Sequence, residues 1–240
     1  MTFLRWADST REQLRAVLPD ALVVLPFGAT EQHGPHLATG TDALLAGAVA
    51  ARATEAAAPL ADRPLVLAPC LPFGASDHHL PFGGTLSLSV ETATAVLGDL
   101  ARSVVAGGGR RLLVVNGHGG NRGVCHAAAS GASSRYGLAV SVTHYWDLLP
   151  ADPAVPGHAG RFETSMVLAV DETLVAPRRP RPDPPAGSTV DGVDQHDPKA
   201  WLRIDGYTDH PELADAAAGA AWLEQAVSAL SARLIELARM

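Results

Sequence analysis

The stretch Glu31-Gln32-His33-Gly34-Pro35-His36-Leu37-Ala38-Thr39-Gly40-Thr41-Asp42 places two histidines and two acids close together. Imidazole and carboxylate side chains are ligands for Zn²⁺, Mn²⁺ and related ions. Nothing in packing or turn formation demands that combination here. Two further clusters have the same character. Asn116-Gly117-His118-Gly119-Gly120-Asn121 frames one histidine with glycine, which lets the backbone approach a ligand closely. Gly157-His158-Ala159-Gly160-Arg161-Phe162-Glu163 sets a histidine ahead of an acid. A first-turn acid complementing a helix dipole would explain Glu163 alone, but not its neighbouring histidine.

Glu31, His33, Asp42, His118 and Glu163 are therefore the candidate metal ligands. Five side chains, three of them carboxylates, exceed what one tetrahedral ion uses. Two ions bridged by one carboxylate is the natural arrangement. Such a pair lowers the pKa of a water and polarises a carbonyl oxygen, which is the chemistry of amide or ester hydrolysis. His158 is left over as a proton shuttle, since an imidazole titrates near neutrality. With Glu163 it forms the candidate catalytic set.

Some architecture must bring these clusters together. Ala21 to Phe27 reads as a buried strand that delivers the first cluster to the carboxyl edge of a sheet, where open α/β folds bind ligands. A helix is expected from Asp42 to Ala58, a strand over Leu65–Pro69, and a half-buried alternating strand over Thr85–Ser89. A helix over Val90–Val105 ends at Gly107-Gly108-Gly109. Arg111–Val115 is the strongest strand signal, followed by the 116–121 loop, a helix over 122–136, a strand over Leu138–Val142, and a helix from Glu163 toward Val170. Strands separated by single helices imply βαβ units and a mostly parallel sheet covered on both faces. The proline-rich stretch 176–190 reads as a loop, with Arg178-Arg179-Pro180-Arg181 solvated, and Pro211–Arg239 as a closing helix. The expectation is one α/β domain over residues 1–240.

Composition narrows the function classes. A net charge of −7 argues against nucleic acid as the partner, because phosphate binding needs clustered Lys and Arg. Cys70 and Cys125 lie in apolar stretches and are expected as buried thiols in a reducing cytoplasm. The N-terminus lacks the apolar core of a signal peptide, and no apolar run approaches the roughly 18 residues of a membrane span. No nucleophile elbow G-x-S-x-G is present. Gly107-Gly108-Gly109 precedes a strand and lacks the Lys-Ser/Thr of a phosphate loop.

In chain order, Glu31-Gln32-His33-Gly34-Pro35-His36 with Asp42, then Ser76-Asp77-His78-His79 before Phe82-Gly83-Gly84-Thr85-Leu86-Ser87-Leu88, then Asn116–Asn121, then His158-Ala159-Gly160 with Glu163-Thr164-Ser165, resemble the creatininase (creatinine amidohydrolase) family. The resemblance runs from about residue 20 to about residue 170. It implies a three-layer α/β/α sandwich with a mostly parallel central sheet. It also implies two divalent ions per chain, Zn²⁺ and/or Mn²⁺ with Fe²⁺ admissible, in homo-oligomers that are often hexamers. The implied activity is metal-dependent hydrolysis of linear or cyclic amide C–N bonds outside ordinary protein substrates. A peptidase trimming a short modified peptide, as in mycofactocin maturation, is the alternative, and a non-catalytic metal-dependent binding protein is a third reading. By the same resemblance Glu31 and His118 hold one ion, His33 the other, and Asp42 bridges. Creatinine-hydrolysing members carry a metal-binding Glu two residues after the loop histidine, where Gly120 stands here. Glu163 is expected to fill that vacancy, and the departure weakens creatinine itself as substrate. His158 matches the family's acid/base histidine. Ser76, His79 and Trp146 are the candidate substrate contacts, and His36 is expected to support the centre rather than bind an ion. His126 reads as a helix-surface residue, His144 as strand-end packing, and His196 and His210 as solvated.

Overall fold

Side chains along the buried central strands alternate between two cores, which sets the layers. A computed structural model describes residues 2–152, 154–183, 185, 193, 195–197 and 199–240. In chain order the elements are β1 (Phe3–Arg5), α1 (Arg11–Val17), β2 (Leu22–Phe27), α2 (Thr41–Ala57), β3 (Leu65–Leu67), α3 (Val90–Ala106), β4 (Arg111–Asn116), α4 (Arg122–Tyr136), β5 (Ala139–His144), α5 (Arg161–Val170), α6 (Ala200–Arg203) and α7 (Ala216–Leu237). The strands form one parallel sheet in the order β1-β3-β2-β4-β5. Leu22, Val24, Leu113 and Val115 join the core beneath α2, α5 and α7. Val23, Leu25, Leu112 and Val114 join the opposite core, with residues of α1, α3 and α4. This period-two division buries both faces, so the fold is a three-layer α/β/α sandwich.

After β2 the chain runs to β3 on one side, and after β3 to β4 on the other. That reversal leaves a crevice at the carboxyl ends of β2 and β4, where ligands of such sheets bind. Pro26 sits inside β2, where a proline would ordinarily break a ladder. Its carbonyl accepts from Leu71 N at 3.0 Å, on the side where β3 has already ended at Leu67. The N–H that proline lacks would face the same side, so no strand pairing is lost.

Several expectations need correction. Thr85–Ser89 is no ladder strand; Leu86 makes a single bridge to Thr30 and is 60% exposed. At Thr85 and Ser87 the hydroxyls turn inward, while Ser89 is exposed and caps α3. Thr85 Oγ1 accepts from Gln32 N at 3.0 Å, and Ser87 Oγ from Ser76 N at 2.8 Å. The basic run is not simply solvated. Arg181 donates to the carbonyls of Tyr207 and Ile204 and lies 3.8 Å over the Tyr207 ring, while Arg178 donates to Ala214 O. His210 is tied to Asp183 and Glu212. Pro184 and residues 186–190 of the expected 176–190 loop lie outside the described residues. The closing helix starts at Ala216, after a 3-10 turn over Pro211–Leu213. Sequence reading passed over β1 and α1, although Thr10 and Gln13 form a capping box at the start of α1. No helix among the described residues is long and apolar enough to cross a membrane.

Candidate metal centre

The loop after β2 carries Glu31 and His33, and the first turn of α2 carries Asp42. The loop after β4 carries His118, and the turn before α5 with its first residues carries His158 and Glu163. All six are buried. Asp42 lies at the middle. Its Oδ1 is 3.1 Å from His33 Nε2, and its Oδ2 is 3.1 Å from His118 Nδ1. Glu163 Oε2 is 3.8 Å from His33 Nε2, and Glu31 Oε2 is 3.3 Å from His118 Nε2. Glu31 Oε1 is 3.5 Å from both His158 Nδ1 and His79 Nε2.

Local structure aims these groups. His33 Nδ1–H donates to the carbonyl of Glu31 at 3.0 Å, which turns Nε2 toward Asp42. Glu163 Oε2 accepts from Ala159 N at 2.6 Å, from a residue held at φ +49. A left-handed alanine is strained by an amount on the order of 1 kcal/mol, and such strain collects at functional sites. Asn121 joins two loops beneath the site, accepting from Ala75 N and donating to Gly28 O, each at 2.9 Å.

Gln32, which lies between two expected ligands, was missed as a functional residue. Its amide nitrogen donates to Gly206 O at 2.6 Å and to His79 Nδ1 at 2.8 Å. Both hydrogens are then used, so none is left for His158 Nε2 at 3.2 Å. His158 Nε2 must itself be the donor, to the carbonyl of Gln32 at 3.0 Å. Its Nδ1 is therefore bare and faces Glu31. By the same count His79 carries its proton on Nε2, also toward Glu31. Thr208 completes the frame: His158 N donates to its Oγ1 at 2.8 Å, and Thr208 N donates to His158 O at 2.9 Å.

Electrostatics follow from burying three acids among imidazoles. Burial pushes the Glu31 carboxyl up to about 7, with the Asp42 charge adding to the rise and His118 and His33 opposing it. Burial likewise takes Glu163 up to about 8, against the pull of His33. For Asp42 burial acts upward too, but the charges of His33 and His118 and a hydrogen bond from His33 hold it well below the usual carboxylate range. Burial would lower His33 and His118, yet Asp42 with Glu163 and Glu31 raises His33 to about 10, and Glu31 with Asp42 raises His118 to about 9. His158 goes the other way, held well below its ordinary value by burial and by the charge of His33.

The donor set fits divalent cations. Both oxygens of Glu31 and Oδ2 of Asp42 are buried without a hydrogen-bond partner among the described residues. Unpaired buried carboxylate oxygens are costly unless a cation answers them. Three overlapping groups have donor atoms within 4.8 Å of one another: His33, Asp42 and Glu163; Glu31, His33 and His158; and Glu31, His78 and His118. Oxygen and imidazole donors without thiolate suit Zn²⁺ and Mn²⁺.

Among the other expected residues, Ser76 Oγ lies 3.3 Å from His118 Nε2, and His79 stacks on His158 with centroids 4.3 Å apart. His36 pairs with Thr164 Oγ1 at 3.0 Å and belongs to none of the donor groups. Trp146 is buried against His144, Tyr145 and Arg122. His144 is buried at the end of β5, 2.9 Å from Asn116 Nδ2, and His126 is exposed on α4. The indole that meets the site imidazoles is Trp201 on α6, 4.7 Å from His79, 5.1 Å from His158 and 5.7 Å from His78. His78 stood in the Ser76-Asp77-His78-His79 motif without a role of its own, and Trp201 in no pattern; their contacts with the site arise through the fold.

Known proteins resemble this chain in sequence and fold. The family profile "Creatininase: Creatinine amidohydrolase" matches residues 7–234. A mycofactocin precursor peptide peptidase of Mycobacterium tuberculosis (strain CDC 1551 / Oshkosh) is 38% identical over 177 residues, 72% of this chain and 66% of its own. One of Mycolicibacterium smegmatis is 40% identical over 163 residues, 68% of this chain and 62% of its own. The matched chain thus spans just under two thirds of the length of these curated relatives. A creatinine amidohydrolase of Pseudomonas putida is 33% identical over 203 residues, 72% of this chain and 74% of its own. A solved structure described as "Creatininase Mn" superposes with a TM-score of 0.82 at 29% identity, covering 97% of each chain. With its three clusters converging on one sheet edge and these matches along nearly its whole length, the chain belongs to the creatininase (creatinine amidohydrolase) family.

Proposed function

We propose that this chain is a hydrolase domain, residues 1–240, that cleaves amide C–N bonds with two divalent ions, Zn²⁺ or Mn²⁺. The supporting observation is Asp42, one oxygen 3.1 Å from His33 and the other 3.1 Å from His118. Asp42 is assigned as the bridge, Glu31 and His118 as holders of one ion, and His33 and Glu163 as holders of the other. Glu163 thus serves the His33 side, where its oxygen lies, rather than the place opened by Gly120. When bound, such ions acidify a water and polarise the substrate carbonyl. His158 Nδ1, bare and facing the cluster, takes the proton and delivers it to the leaving nitrogen. The Gln32 carbonyl keeps Nε2–H fixed during that exchange. Ser76, His79 and Trp201 are assigned to the substrate side. Trp146, set on His144 and Tyr145, is not.

The substrate reading is a short precursor peptide, supported by greater identity to the mycofactocin precursor peptide peptidases (38–40%) than to the Pseudomonas putida creatinine amidohydrolase (33%). A small cyclic amide is the second reading, supported by the full-length likeness to creatininase structures. Elemental analysis, combined with hydrolysis of short peptides, cyclic amides and creatinine, tests both. Peptide cleavage that chelation abolishes and Zn²⁺ or Mn²⁺ restores is expected. Full activity in metal-free protein would overturn the reading. His158→Ala should lose hydrolysis at unchanged metal content; retained turnover would remove the shuttle role.

A homo-oligomer, with a hexamer favoured, is also proposed. Phe73, Leu80, Leu86 and Val90 are 40–60% exposed along one short stretch beside the site. Light scattering of the purified protein reads the assembly directly. Two unpaired cysteines, Cys70 and Cys125, support a reducing cytoplasm.

A further inference from the structure

His78 belongs to no role assigned so far. It stands beside His79 in the 3-10 turn Asp77–Phe82 and is half-buried. It makes no side-chain hydrogen bond among the described residues. Its ring lies parallel to that of His118, interplanar angle 4° and centroids 5.7 Å apart, with Trp201 5.7 Å away. Its donor nitrogen, one from His118 and a Glu31 oxygen all lie within 4.8 Å of one another. A half-buried imidazole with no other polar partner, beside two unpaired carboxylate oxygens, is arranged as a metal ligand is.

Position 120 borders the space this ring occupies. A Cβ at Gly120 would fall 2.9 Å from His78 Cε1, 2.5 Å from His118 Nε2 and 2.4 Å from Ala75 O. The Ala75 carbonyl and His118 exclude a side chain at 120 by themselves, and the His78 ring borders the same space. We propose that His78 ligates the ion held by Glu31 and His118, in the space bordered by Gly120. The inference rests on the two-ion reading above. It gives that ion the donors Glu31, His118 and His78, while His33, Asp42 and Glu163 serve the other.

The test is a Co²⁺ titration of metal-free protein, followed by visible d–d absorption. The wild-type chain takes up two equivalents. His78→Ala weakens one of the two by at least about 100-fold, more than loss of a supporting contact costs, and changes the spectrum of that site alone. His78→Phe keeps an aromatic ring against His118 and Trp201 but has no lone pair, so it must weaken the same site. Wild-type affinity for both equivalents in His78→Phe makes the residue a packing element and overturns the proposal. So does an unchanged titration in His78→Ala. Fewer than two equivalents in the wild-type chain overturns the two-ion reading itself, and the proposal with it. Far-UV circular dichroism of each variant confirms that losses of binding are not losses of fold.

Discussion

Replacing Asp42 by Ala removes both oxygens that stand 3.1 Å from His33 and His118. Neither ion should then be retained and hydrolysis should vanish; a variant still holding two ions would refute the bridge. Glu163→Gln should cost only the ion on the His33 side, leaving about one equivalent by elemental analysis. Gln32→Leu tests the hydrogen count. It frees His79 Nδ1 and Gly206 O without touching a ligand, so turnover should fall roughly 10–100-fold at constant metal content. Unchanged turnover would mean that the amide fixes no proton that matters. A pH dependence follows from the same cluster. Without ions, Glu31 and Glu163 are pushed up to about 7 and about 8, and His118 and His33 to about 9 and about 10. Each must lose its proton to ligate, so Zn²⁺ affinity should climb as pH rises from 7 toward 10 and binding should release protons. Calorimetry in buffers of different ionisation enthalpy measures that release; none at pH 7 would contradict these protonation states. The buried cluster of acids and histidines was legible in the sequence because few other arrangements call for acids and histidines in glycine frames. Gln32, His78 and Trp201 were not, because their roles arise from contacts across 40 or more positions, such as Gln32 with Gly206.

At the level of elements, sequence pattern located β2, α2, α3, β4, α4 and β5 to within a residue or two, since continuous apolar runs mark β2 and β4 and Gly107–Gly109 marks the end of α3. It misled at Thr85–Ser89, where the alternation is real but Thr85 and Ser87 turn inward to serve backbone N–H groups. Pattern alone does not say which face is inside. α7 shows another contact that no periodicity announces. A Cβ at Gly219 would lie 1.8 Å from Ser165 O, so the helix rests directly on the backbone of α5. Gly219→Ala should force α7 away from α5 and destabilise the fold by about 3 kcal/mol or more, despite its better helix propensity. Thermal or denaturant unfolding measures this, and a stabilised variant would show the helices free to separate. Because α5 begins with the turn that aims Glu163, metal affinity should fall as well.

Across the whole molecule, the sheet order with its reversal about β2 explains why segments far apart in sequence share one crevice. The three layers could be read from alternating strands and helices. The tie between residues 200–209 and the site could not, since it depends on Arg181 over Tyr207 and Thr208 against His158. The spread of donors from residue 31 to residue 163 has a kinetic consequence. A growing or refolding chain has no complete second nest of ligands until α5 has docked, however early the strands collapse. Cation capture should therefore trail compaction as a late seal on the correct topology, and a nascent polypeptide would stay inert toward its substrate until most of it has been made.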